Sequence, residues 1–355
     1  MTGMNKYYDV FDDIKKYPEA VIIVAYSRRG VGKTYSALKG SLERDIPIVY
    51  IKRTIEDVNL ICSSSEAFDT SPYKPINRDL GINIKPKKVC NGVGAFYHMD
   101  HEGNILNPVP VAYCVALSAI KNIKGIDLSD CELMIFDEFI PQISETRVLQ
   151  SEGESLLDVY ATISRDREKR GREPLRLILF ANSENLYCPV VEELQIMDNI
   201  AKVAMFKKEY DYIAKRAILI HHVKLEVTEK EKSGIWKVME GTSWFRKSFE
   251  GEFVKNDFSN VAKDTLKGFI PVMELKYKEG NFYIYKKGLQ YFITKQRSNK
   301  CTIKFNLNRD NDIRLFYTKY CLDLQEACMN NRVKFSDYSL YDLITHFDKR
   351  FKHVL

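Results

Sequence analysis

Residues 20–34 read Ala20-Val-Ile-Ile-Val-Ala-Tyr-Ser-Arg-Arg-Gly-Val-Gly-Lys-Thr34. The apolar, β-branched run Ala20 to Ala25 has the composition of a buried strand. It stops at a short loop carrying Gly30 and Gly32, and a helix-compatible stretch, Tyr35 to Glu43, follows Lys33 and Thr34. Strand, glycine loop, Lys-Thr and helix together make the pattern of a phosphate-binding loop (P-loop). Glycines let successive backbone N–H groups close around phosphate oxygens, and the helix N-terminus adds partial positive charge at the same place. Lys33 would neutralise the β- and γ-phosphates, and the Thr34 hydroxyl would bind Mg²⁺. Ser27, Arg28, Arg29, Gly30, Val31, Gly32, Lys33 and Thr34 are therefore the expected nucleotide-binding residues, with ATP and Mg²⁺ as ligands. Ser27 stands where the usual pattern has glycine, which removes φ > 0 freedom at the start of the loop.

Working outward, the next informative stretch is Glu132-Leu-Met-Ile-Phe-Asp-Glu-Phe139. Four apolar residues predict a buried strand that delivers Asp137 and Glu138 at its C-terminal end, where parallel sheets bind ligands. Asp137 would hold Mg²⁺ through water, and Glu138 would orient and deprotonate an attacking water. A helix is predicted from Glu152 to about Lys169, running into Arg165-Asp-Arg-Glu-Lys-Arg-Gly-Arg172. Those bases either complement the helix dipole or supply Arg165 as an arginine finger, since phosphoryl transfer needs positive charge at the γ-phosphate. Arg176 to Ser183 predicts another buried strand. At its end Asn182 either senses the γ-phosphate or serves as an ordinary turn residue. The expected fold is α/β: a P-loop NTPase parallel sheet of the class with an extra central strand and adjacent Asp-Glu, plus a smaller α+β C-terminal domain.

The 355 residues are 45% hydrophobic and 29% charged, enough for two domains with full cores. The net charge of +6 is compatible with an anionic partner. Eight cysteines without a Cys-x-x-Cys pair point to free thiols in a reducing compartment. His98 and His101 near Cys90 and Cys114 are too irregularly spaced for a zinc site. The N-terminus does not read as a signal peptide, and no apolar run approaches the ~18 residues of a membrane span, so the expected location is cytosolic. Residues 5–17 predict a short helix whose Tyr7 and Tyr8 pack on the sheet rather than stack on an adenine. Ile46 to Arg53 predicts a second parallel strand. Residues 54–92, with a Ser run, prolines and the basic patch Lys85 to Lys88, read as an irregular insertion, and 95–117 as a hairpin. The expected domains are 1–197 (ATPase), 198–232 (helical linker) and 233–355, where short aromatic strands such as Gly234 to Val238, Val272 to Tyr277, Phe282 to Lys286 and Gln290 to Thr294 precede two helices.

The motifs Ser27 to Tyr35, Ile135-Phe-Asp-Glu-Phe-Ile140, Ser164-Arg-Asp-Arg-Glu168 and Phe180-Ala-Asn-Ser183, in this order, resemble the DNA-packaging ATPases of small protein-primed podoviruses. The likeness covers about residues 18–190. It implies a ring motor, usually a pentamer, docked on the portal (connector) of an empty capsid in the host cytoplasm and driving double-stranded DNA inward with ATP, with a structural RNA as a further candidate partner. It also implies that Arg165 acts across the subunit boundary, and that a trans-acting lysine maps to Lys124, with Lys121 close by. The family's C-terminal domain is similar to an RNase H-like nuclease that has lost its metal-binding acids. Here only Glu274 is suitably placed on a strand, and two-metal cleavage needs several convergent carboxylates. A terminase-like enzyme with an active nuclease, or another P-loop translocase or helicase, is the alternative.

Overall fold

The strand of residues 20–25 is observed as β1 (Ile22–Ser27), buried along almost its whole length. Burial on both faces is what an inner strand of a helix-covered parallel sheet requires, and it explains the unbroken apolar run. The computed structural model describes residues 7–64, 69–123, 125–141, 148–149, 151–225, 234–253, 256–263 and 266–355. The strands flanking β1 follow as β2 (Ile48–Lys52), β3 (Ile84–Cys90), β4 (Val93–His98), β5 (Ala112–Ala116), β6 (Leu133–Phe136), β7 (Arg176–Asn182), β8 (Tyr210–Ile213) and β9 (Ile218–Val223). They form one nine-stranded sheet in the order β3-β4-β5-β2-β6-β7-β1-β9-β8. The inner strands β5, β2, β6, β7, β1 and β9 pair in parallel. Antiparallel pairing at both edges adds β3 and β4 on one side and β8 on the other.

The sheet places β7 between β1 and β6, so the strand bearing the glycine loop and the strand bearing Asp137 are not neighbours. One face of the sheet is covered by the helices Val10–Lys16 and Lys33–Glu43, whose Val10, Ala37 and Leu38 share a core with Ile23, Ala25, Ile178 and Phe180. The N-terminal segment is fixed to the loop itself: the Tyr8 N–H donates to the Val31 carbonyl at 3.0 Å. The Tyr8 ring lies edge-on to Phe180 and His221, and its hydroxyl donates to Asp13 at 2.6 Å. Tyr8 thus packs on the sheet, as its sequence context suggested, whereas Tyr7 does not: it is exposed and lies beside Tyr35 and Gly32.

Three stretches differ from expectation. The described part of 54–92 is not irregular: a helix over Ile55–Cys62 starts from a Thr54/Asp57 capping box, a second spans Lys74–Leu80, and Lys85 to Lys88 lie on β3. The described part of 198–232 is not a helical linker, because β8 and β9 complete the large sheet. The first compact unit accordingly runs to residue 255 and the second covers 256–355. Gly234 to Val238, read as a strand, contains the short helix Ile235–Val238.

The second unit carries β10 (Ile270–Tyr277), β11 (Gly280–Lys287), β12 (Gln290–Thr294), β13 (Ile303–Asn306) and β14 (Val333–Phe335) in the order β13-β10-β11-β12-β14. β10, β11 and β12 make the meander that their turns foretold, while β13 and β14 join in parallel at the two edges. Its core is built from Leu275, Ile284 and Ile293 on the sheet and Phe316, Leu343 and Phe347 on the closing helices.

Candidate functional site

The site grows from the way three parallel strands end. Ser27 on β1 pairs in register with Asn182 on β7, and Phe136, the last residue of β6, pairs with Leu179 of β7. β6 therefore stops short of β7, and Asp137 and Glu138 leave it beside the glycine loop. Gly30 and Gly32 both have φ near +78° (79° and 77°), which L side chains seldom adopt. At Gly32 a Cβ would also lie 2.6 Å from the Tyr7 ring. Gly32 caps the helix Lys33–Glu43 without a side-chain hydrogen bond, so no side chain competes for the first-turn N–H groups.

Lys33 is buried, and its ammonium donates to Ser27 Oγ at 2.6 Å and Asn182 Oδ1 at 3.3 Å. Burial lowers its pKa to about 8, against the opposing pull of Asp137 and Glu138. Ser27, the departure from the usual glycine, thereby finds a role: its hydroxyl accepts a hydrogen bond from the lysine ammonium and donates to the Arg28 carbonyl at 2.6 Å. The Thr34 hydroxyl donates to Asp137 Oδ2 at 2.6 Å, and the Tyr50 hydroxyl reaches the same oxygen at 3.4 Å. A hydroxyl and a carboxylate facing each other at a helix N-terminus are the donor set that Mg²⁺ takes when phosphates complete its shell. A cavity of about 180 Å³ is lined by Gly30 to Tyr35, Asp137, Glu138, Ala181 and Asn182.

Glu138 is exposed, and its backbone sits at φ +55°. That conformation costs roughly 1–3 kcal/mol in a non-glycine residue and persists only when its surroundings impose it. The Glu138 N–H donates to Asp137 Oδ1 at 3.0 Å and the Phe139 N–H to the Phe180 carbonyl at 3.1 Å, and a further hold is Arg53 at the end of β2. Its guanidinium donates to the carbonyls of Glu138 and Phe139 at 3.2 and 3.3 Å. It also grips Glu152 through two bonds, at 2.6 and 3.1 Å. Glu152 is fully buried. Sequence reading missed this pair because its members stand 99 positions apart and neither belongs to a motif.

The two arginines at the start of the loop are engaged with other parts of the same unit. Arg29 donates to Glu184 at 3.3 Å, and Lys247 donates to the other oxygen of that buried carboxylate at 3.0 Å. The Arg28 guanidinium lies 5.5 Å from the centroid of Phe249.

The predicted helix from Glu152 ends early, at Ile163, and the basic run beyond it divides. Arg167 is buried and donates to the carbonyls of Ser129, Cys131 and Glu173. Asp166, at φ +61°, turns the chain between them. Arg165 is exposed, does not line the cavity of its own chain, and makes no hydrogen bond or ion pair among the described residues. Lys124 lies outside the described residues, and Lys121 is exposed on the short helix Ile120–Ile123. Among the described residues no group of three or more His, Cys, Asp or Glu side chains is arranged for a metal ion. No helix among them is long and apolar enough to cross a membrane.

Comparison with known proteins places this architecture. The fold is similar to that of the Phi-28 gp11 DNA packaging motor, with TM-score 0.62 and 18% identity over 98% of this chain and 99% of that one. It is equally similar to the bacteriophage Phi-29 viral genome packaging motor assembly, with TM-score 0.62 and 15% identity over 98% and 99%. No curated protein sequence matches significantly. A family model described as podovirus DNA encapsidation protein (Gp16) matches residues 102–352. By fold, then, this is a two-unit α/β protein with the architecture of those chains. The chain belongs to the podovirus DNA encapsidation protein (Gp16) family, and its work is the packaging of viral DNA. The matched region includes Asp137, Glu138, Arg165 and Asn182 and begins after the glycine loop.

Removing one partner of the Arg53–Glu152 pair leaves a buried charge uncompensated. Glu152→Ala should lower the unfolding free energy of the larger unit by about 3–5 kcal/mol, measured as a shift in urea midpoint. A change within about 0.5 kcal/mol would show that the pair holds nothing in place.

Proposed function

We propose that packaging is powered by ATP hydrolysis at the glycine-loop cavity, with the chain working as one subunit of a ring on double-stranded DNA. One observation carries this: a buried lysine, a Thr–Asp pair, an exposed Glu and an Asn, from the ends of three adjacent strands, converge on one small cavity at a helix N-terminus. Backbone N–H groups of residues 30–34 would receive the phosphates. Lys33 would exchange Ser27 and Asn182 for phosphate oxygens, leaving Asn182 free to meet the γ-phosphate or the attacking water. Thr34 and Asp137 would hold Mg²⁺, which when bound bridges phosphate oxygens and neutralises their charge. Glu138, directed into the cavity by its constrained backbone, would take the proton of the water. The extra strand β7 between β1 and β6 supports assignment to the NTPase class that carries its base beside the metal-binding Asp.

Arg165 is proposed to complete a neighbour's site. Its exposure and its absence from its own cavity support this, as does the burial of Arg167, which ties the turn down and leaves Arg165 directed outward. Lys124 is retained as a second trans-acting candidate. For the second unit we propose DNA gripping or docking to the capsid connector on an RNase H-like sheet without nuclease activity. Glu274 supports that choice, because Lys304 neutralises it at 3.0 Å. The host cytoplasm is the proposed place of action.

Lys33→Ala should abolish ATP binding together with turnover. Glu138→Gln should retain binding and stall turnover, because only the base is lost. Equal loss of affinity in both variants, measured by calorimetry, would remove Glu138 from the role of base.

In the unaltered chain, phosphate charge beside Lys33 favours its protonated form, so its pKa is higher with ATP bound than without. Binding therefore takes up a proton where the free site has lost one, above pH of about 8. Affinity should be flat below that pH and fall by at most ~tenfold per unit above it. Titrations with the Mg²⁺ complex of ATP, whose terminal phosphate is fully ionised above about pH 7, in buffers of different ionisation heat should report more proton uptake at pH 8.5 than at pH 7.

Mixing tests the arginine. Arg165→Ala and Lys33→Ala subunits should each be nearly inactive alone. Together they should regain turnover wherever an intact Arg165 faces an intact glycine loop, since a finger is worth about 10³–10⁵ in rate. Rings shown to be mixed yet inactive would place Arg165 outside the neighbour's reaction.

A further inference from the structure

A second cavity, of about 360 Å³, opens beside the glycine loop and is twice the size of the first. Its wall includes Arg28 from the loop, His222 and Leu225 from the end of β9, and Trp236, Phe245 and Phe249 from the segment that follows. β9 pairs with β1 up to Ser27↔Val223, so the cavity begins where the glycine loop begins. It lies on the flank of β1 opposite β7 and β6, which carry Asn182 and Asp137. A nucleotide whose γ-phosphate points toward Asp137 and Asn182 can extend its other end toward the β9 side.

We infer that this cavity receives the purine base and ribose of the ATP whose phosphates the glycine loop binds. This rests on the ATPase reading above and assigns residues to a part of the ligand that the phosphate cavity cannot hold.

The chemistry of the wall fits a flat, electron-rich heterocycle. Phe245 and Phe249 stack with centroids 4.7 Å apart, and Trp236 lies 5.1 Å from Phe249 and 5.1 Å from the ring of Trp244. Such rings accept a base by stacking, which is among the stronger contacts a base can make. Arg28 adds a cationic plane 5.5 Å from the Phe249 centroid. Polar recognition comes from His222, whose ring is stacked on Tyr26 at 4.7 Å and whose Nδ1 is buried with no hydrogen-bond partner among the described residues. Burial, with Lys224 and His221 adding like charge, lowers its pKa to about 4. The imidazole is therefore neutral at physiological pH and offers one donor and one acceptor nitrogen, which match the amino group and ring nitrogens of adenine. The volume is within the range of small-ligand sites, and Lys224, Lys237, Glu240 and Glu250 complete the wall with charged groups.

The test separates the base from the phosphates by comparing ATP with inorganic triphosphate on the full-length chain. Trp236→Ala should weaken ATP binding about tenfold or more while leaving triphosphate affinity within about twofold. The chain has two tryptophans, so Trp244→Phe leaves Trp236 as sole reporter without truncating the cavity wall. ATP should change its emission, and triphosphate should not. Equal loss of both affinities in Trp236→Ala, no loss of either, or an emission blind to ATP would overturn the assignment while leaving the phosphate cavity intact. Failure of the unaltered chain to bind either compound would overturn the ATPase reading and this proposal with it.

Discussion

The parallel register of β6, β7 and β1 is the constraint on which the larger unit depends. Backbone pairing fixes Ser27 level with Asn182 and Phe136 level with Leu179. A slip of one residue in any of these strands would turn its buried side chains to the opposite face. It would also move Asp137 or Asn182 away from Lys33. The apolar cores on the sheet faces, which hold the register, therefore also set the distances between polar groups at its edge.

Holding the strands is not sufficient, because Glu138 lies just past β6 in a backbone conformation that its own chain disfavours. The Arg53 guanidinium supplies a further hold by occupying two carbonyls in the Glu138 segment and a buried carboxylate on the next helix. A guanidinium is the side chain suited to this, since its fork of donors can serve several acceptors in one plane. The ion pair is expensive to bury, and the return is positional: it joins β2, the end of β6 and the helix Glu152–Ile163 at one point.

Sequence alone exposed what is local and periodic. The strand, glycine loop and helix of 20–43, the apolar run ending in Asp137 and Glu138, and the run ending in Asn182 each carry their signal within about a dozen residues. Within 54–92 serines and prolines mask short helices, although Thr54 and Asp57 are a readable capping signal. β9 is hard to see in the sequence because two histidines interrupt its apolar run, and its partner β1 lies far away in sequence. Gly234 to Val238 has strand-like composition, yet Ile235–Val238 form a short helix with no buried residue, so the composition carries no weight there. The Arg53–Glu152 and Arg29–Glu184 pairs leave no local pattern at all, since charged residues at strand and helix ends are common.

The turn after the helix Glu152–Ile163 has a bearing on how this chain can drift. Two arginines two positions apart have opposite fates, Arg167 sealed among three carbonyls and Arg165 facing solvent. What distinguishes them is only their phase relative to Asp166 and the helix end. Point changes to the neighbouring exposed residues leave that phase untouched, whereas insertion or deletion of a single residue would rotate the wrong guanidinium outward. Length, more than composition, is therefore the property of this segment that decides which guanidinium faces solvent.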